Sequence, residues 1–88
     1  MNSLIGVRKY KYIINMNYKD FNLKKGEFAL FNTSSKTYYK FQNVIEVCKH
    51  AVNAGRSPED GWNIVDDIGI SLKEEDWAFF AQLPLPKD

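Results

Sequence analysis

The chain has one cysteine, one histidine, three prolines and five glycines among its 88 residues. A single Cys48 excludes an internal disulfide and points to a reducing compartment. A single His50 excludes the His-rich sets from which most catalytic zinc sites are built. The glycines never cluster into a phosphate loop, since Gly55-Arg56-Ser57-Pro58 lacks both the glycine spacing and the lysine of that pattern. No apolar run reaches the length of a membrane span. The opening MNSLIGVRKY holds no stretch suited to a secretory signal. Repeats and low-complexity tracts are also missing. The expectation is a soluble protein of the cytoplasm with no membrane association, no cofactor and no metal.

What the chain does have is aromatic side chains, 15% of its residues, within an ordinary 44% hydrophobic and 26% charged composition. That suits one domain with a modest core. Net charge is +1, but its distribution is uneven. Residues 1–50 hold nine basic and three acidic residues, and residues 51–88 hold three basic and eight acidic ones. Either the two halves attract each other within the fold, or one presents a charged face to a partner.

The segment 26–55 organises the rest. Glu27–Asn32 and Thr37–Phe41 are rich in Phe, Leu and Tyr, and the polar run Thr33-Ser34-Ser35-Lys36 joins them, which predicts a β-hairpin. Val44, Ile45, Val47, Cys48, Ala51 and Val52 then fall on one arc at about 100° per residue. Glu46, Lys49, His50 and Asn53 fall on the other. The pattern predicts an amphipathic helix, opened by Asn43 and closed by Gly55. Before this unit, Val7–Tyr18 alternates apolar and polar residues with period two and predicts a first strand. Residues 17–26 read as a polar connection that Phe21 and Leu23 tack to the core.

After it, Ser57-Pro58 followed by Glu59 and Asp60 predicts a second helix running to about Ile68. Trp62, Val65 and Ile68 share its face, and Gly61 weakens it by about 1 kcal/mol. Ser71-Leu72-Lys73-Glu74 matches a capping box and predicts a third helix from Leu72 to about Gln82. There Leu72, Phe79 and Leu83 lie together, flanked by Trp77 and Phe80. Pro84 stops that helix, leaving residues 84–88, like residues 1–6, as an extended or flexible end. The expected fold is α+β in a single domain over residues 1–88. It is a three-stranded antiparallel meander with Glu27–Asn32 central and three short helices on one face. The opposite sheet face is then bare unless a partner covers it.

No residue set points to catalysis. Cys48 and His50, two apart on a helix, turn away from each other, which leaves a packed thiol and a solvated imidazole instead of a Cys-His pair. Asp66 and Asp67 diverge on a helix, and Glu74, Glu75 and Asp76 suit the positive end of the last helix. Two surfaces remain. A bare sheet face would carry Lys9, Lys11, Tyr38 and Lys40, a combination that serves RNA and single-stranded DNA binding through phosphate attraction and base stacking. The last helix would present Glu74, Glu75 and Asp76 beside Trp77, as an interface anchor with an acidic rim. Edge pairing of Val7–Tyr18 would also permit a homodimer.

The codon-driven balance of residues, with ten lysines to two arginines, points to an AT-rich genome. In size, composition and absence of an active-site motif, the chain is similar to phage accessory proteins. That similarity implies a small non-enzymatic binding protein that modulates a larger macromolecule, such as an inhibitor of a host enzyme or defence complex. The alternative is a nucleic-acid binder using the lysine and tyrosine face.

Overall fold

The computed structural model describes the backbone of residues 9–11 and the whole of residues 17–86. Strand β1 (Lys9–Lys11) comes first, then β2 (Phe28–Asn32), β3 (Thr37–Phe41), helix α1 (Val44–Asn53), β4 (Trp62–Asp66) and helix α2 (Glu74–Ala81). The sheet is antiparallel in the order β1-β3-β2-β4. Its body is the three five-residue strands, with the short β1 on the outer edge of β3. The fold is α+β as expected, with two α-helices instead of three and a strand lying between them.

The hairpin forms because residues 28–32 and 37–41 can bury side chains on a pleated surface while the polar 33–36 turn stays wet. Asn32 fixes that turn from inside. Its Oδ1 accepts from the Ser34 and Ser35 amides, both at 2.8 Å, and its Nδ2 donates to the Asp60 carbonyl at 3.0 Å. Helix α1 opens as its sequence predicts, with the Asn43 side chain accepting from Glu46 N–H at 2.9 Å. It closes with the paired bonds of a Schellman motif, Gly55 N–H to the Val52 carbonyl and Arg56 N–H to the Ala51 carbonyl.

Four expectations are corrected. The helix expected from Pro58 is a single 3₁₀ turn, Pro58–Asp60, ended by Gly61 at φ +93°. Strand β4 follows and pairs along β2, Ile64 opposite Leu30. The Trp62-Val65-Ile68 spacing imitates a helix, but the β-branched pair Ile64-Val65 alternates across a sheet whose two sides are both apolar. Second, the expected first strand does not reach Tyr18. Tyr18 lies in a 3₁₀ turn, Tyr18–Phe21, capped reciprocally by Asn17 and Asp20. Residues 7, 8 and 12–16 of that expected strand lie outside the described residues. Third, β1 pairs with β3 and not with β2, so the sheet is no simple meander. The other side of β2 belongs to β4. Fourth, α2 begins at Glu74 behind Lys73 with no side-chain cap. Ser71 instead bridges Val65, which draws residues 70–72 against the outer edge of β4. Asp66 N–H to the Ile70 carbonyl and Leu72 N–H to the Ile64 carbonyl complete that return.

The sheet is covered on both faces. On one, α1 and α2 close over Leu30, Phe41, Trp62 and Ile64, with Val47, Cys48, Ala51 and Trp77 supplied by the helices. On the other, the segment from Tyr18 to Leu23 crosses beneath Ala29, Phe31, Tyr38 and Val65. Phe21 is fully buried there, its ring 5.1 Å from Phe31 and 4.4 Å from Tyr38. The expected bare face is therefore filled by the chain itself. Burying a side chain of this size is worth about 1.5–3 kcal/mol.

The tight turn after β4 is tied to this lower layer. Asp66 Oδ1 accepts from Ile68 and Ile70 N–H at 3.0 and 2.8 Å, and Asp67 Oδ1 accepts from Gly26 N–H at 3.3 Å. Gly69, at φ +91°, lies against the Tyr18 ring so closely that a Cβ would stand 2.7 Å from it. Gly69→Ala combines a left-handed backbone with a clash against a packed ring. It should lower stability by about 2 kcal/mol or more, seen as a lower urea midpoint, whereas Gly55→Ala, with open space around it, should lose less. Equal losses would place the Tyr18 ring elsewhere.

Candidate functional site

The sequence nominates two surfaces, and the fold treats them differently. Tyr38 and Lys40 sit on the lower face. Tyr38 is 7% exposed beneath Phe21, so its ring is closed to a stacking base. Lys40 Nζ lies 3.4 Å from the Asn22 carbonyl of the covering segment. Lys9 and Lys11 pair in register with Tyr39 and Thr37, not with Tyr38 and Lys40. The four residues are not brought together at one set of register positions. The outer edge of β4 is partly occupied by residues 70–72, and β1 spans three residues among those described.

The second surface is α2. Glu74 and Glu75 are exposed on its first turn, and Asp76 is half-buried. Trp77 is 3% exposed, and its Nε1–H donates to the Leu72 carbonyl at 3.3 Å. It is a core residue under α1, not an anchor. The exposed ring is Phe79, at 53%, set edge-on to Phe80 at 5.3 Å between centroids. The reason is the start of the helix. With Leu72 outside α2, the buried stripe runs through Trp77, Phe80 and Ala81, and Phe79, two residues after Trp77, turns about 200° away. Glu75, Ala78, Phe79 and Gln82 form the outward stripe, all exposed. Leu85, 40% exposed, lies beyond its end.

Ile68 and Ile70 are more exposed still, at 65% and 60%. They sit on the turn after β4, which the Asp67–Gly26 hydrogen bond ties to the Lys24-Lys25-Gly26 loop. Phe79 differs in standing beside a run of three acids on its own helix. The Trp77-x-x-Phe80-Ala81 spacing was the sequence signal that sets Phe79 outside, once α2 starts at Glu74.

The reactive side chains also have defined places. Cys48 is fully buried and free. Burial, and secondarily the Asp76 carboxylate, push its pKa up to about 11. His50, expected in solvent, is instead half-buried against β3, its ring 5.1 Å from those of both Tyr39 and Phe41. The helix packs on the sheet through a wider arc than Val47, Cys48 and Ala51 alone define. No group of three His, Cys, Asp or Glu residues that could hold a metal ion occurs among the described residues. No helix among them is long and apolar enough to cross a membrane. The chain matches no family model, no curated protein and no solved structure.

At neutral pH a thiol so shifted holds a thiolate fraction on the order of 10⁻⁴. A colourless disulfide reagent should therefore leave Cys48 unmodified in native buffer and modify it fully in denaturant. Rapid native modification would place Cys48 outside the core.

Proposed function

We propose that the protein is a non-enzymatic binding module that modulates a larger protein, docking through the outward stripe of α2. The observation that carries this reading is Phe79, a large aromatic side chain held 53% exposed on a helix whose first turn is Glu74-Glu75-Asp76. Folding does not bury that ring, although its neighbours Trp77 and Phe80 are packed. Aromatic anchors ringed by polar groups are the usual centre of binding energy at protein interfaces. The chemistry selects a partner with an apolar pocket bordered by lysine or arginine. Rim carboxylates of this kind speed the encounter and fix its orientation more than they add affinity. In general character this suits an accessory protein of a phage acting in the host cytoplasm, on a host enzyme or defence complex whose own work involves an anionic substrate.

The nucleic-acid alternative has less support, because the Tyr38 ring is covered by Phe21.

The test is capture from host lysate with the wild-type chain and Phe79→Asp side by side. Phe79 projects outward, so the variant should keep its circular dichroism spectrum. Wild type should retain a stoichiometric protein that the variant loses at least tenfold. Retention of the same protein by both, or of none by wild type, would refute α2 as the docking surface.

A further inference from the structure

The contact between α1 and the sheet holds a cluster that the docking surface does not use. His50 lies between the rings of Tyr39 and Phe41, both 5.1 Å away and tilted at 45° and 51°. Tyr39 in turn stacks on Trp62 at 6.2 Å. The Arg56 guanidinium carbon stands 4.3 Å from the Trp62 ring centroid. One buried nitrogen on each cation-forming side chain, His50 Nε2 and Arg56 Nε, has no hydrogen-bond partner among the described residues.

Such a site tolerates a neutral imidazole and penalises a charged one. An imidazolium there would leave water without gaining a hydrogen bond at Nε2. It would also be opposed by the charge of the nearby Arg56 guanidinium. We propose that His50 is a proton-sensitive latch, holding α1 on β3 while its ring is neutral and releasing that contact when the ring gains a proton.

The other groups around it do not reverse the balance. From β3 the titratable neighbour is Tyr39, whose ring lies 5.1 Å from the imidazole. From the connection after α1 it is Arg56. On α1 itself Glu46 stands one turn earlier, and Cys48 faces the other way, towards Asp76 of α2. From β1, Lys9 is the register partner of Tyr39. Burial first, and Arg56 second, hold the His50 pKa below its ordinary 6.5. The sign follows. In the unfolded chain His50 takes up its proton near 6.5, whereas the folded chain resists it, so the unfolded state binds more protons as pH falls through that window. Stability is therefore full above about pH 6.5 and declines below it. Each unit of separation between the two states raises the unfolding constant by up to about tenfold.

Because His50 is the only histidine, its imidazole proton resonance needs no assignment strategy. A titration followed by NMR should give a midpoint below 6.5, with the Tyr39, Phe41 and Trp62 ring signals shifting in step. Urea midpoints should fall between about pH 7.5 and pH 5.5 for wild type and change much less for His50→Phe, which keeps an uncharged ring in the slot. Should His50→Phe fail to fold, the wild-type titration alone decides. A midpoint at or above 6.5, or equal pH-dependent losses in the two proteins, would overturn the latch. Neither outcome bears on Phe79, so this test and the capture experiment fail independently.

Discussion

Burial of β2 from both sides is the constraint on which this fold rests. Leu30 points into the layer made by α1 and α2, while Ala29 and Phe31 point into the layer made by Phe21, Tyr38 and Val65. Its two edges are paired, to β3 and to β4. An interior strand of this kind can leave no polar side chain unmatched. Its one polar residue, Asn32, is accordingly bonded at Oδ1 and Nδ2 to the two turns that flank it. The chain is short, so a second apolar face left wet would cost a large share of what the core contributes. The 3₁₀ turn carrying Phe21 removes that cost with few residues.

Filling the lower face decides where function can lie. A sheet with a bare side offers rings and lysines to nucleic acid. Here Tyr38 is part of the interior, and the covering segment spends its own aromatic group on it. Among the described residues, what folding leaves most exposed is one ring on α2 and two isoleucines on the turn after β4, with Val52 and Leu85 less so. The helical side holds a different asymmetry. There α1 is seated partly by an imidazole whose pKa burial holds below its ordinary value, so the contact between helix and sheet is conditional on pH while the β2–Phe21 contact is not.

The parts legible in the sequence were those whose signal is local. The hairpin over Glu27–Phe41 and the helix after Asn43 follow from apolar spacing and a cap residue, and both stand where the sequence puts them. Strand β4 was hidden by a coincidence: Trp62, Val65 and Ile68 keep helical spacing although Trp62-Asn63-Ile64-Val65 is better suited to a pleat. The run Phe28-Ala29-Leu30-Phe31, apolar at every position, was itself a sign that both faces of the strand are covered. Which face a segment covers is a long-range fact: Phe21 and Leu23 tack residues 17–26 to the core as expected, but their spacing does not say that they close the second side of the sheet. On α2 the capping-box match at Ser71 counted Leu72 into the helix, two residues before its start at Glu74, and so drew the apolar arc through Leu72, Phe79 and Leu83 instead of Trp77, Phe80 and Ala81. His50 was misplaced because a helix period tells which arc is more apolar, not how wide an arc its neighbours cover.

Native-state hydrogen exchange tests the central claim most directly. If β2 is the doubly covered interior strand, the Ala29, Leu30 and Phe31 amides should exchange only through global unfolding, and Phe21→Ala should speed them in proportion to its loss of stability. Exchange at these amides markedly faster than at the Val47 to Ala51 amides of α1, or unaffected by removal of the Phe21 ring, would contradict it.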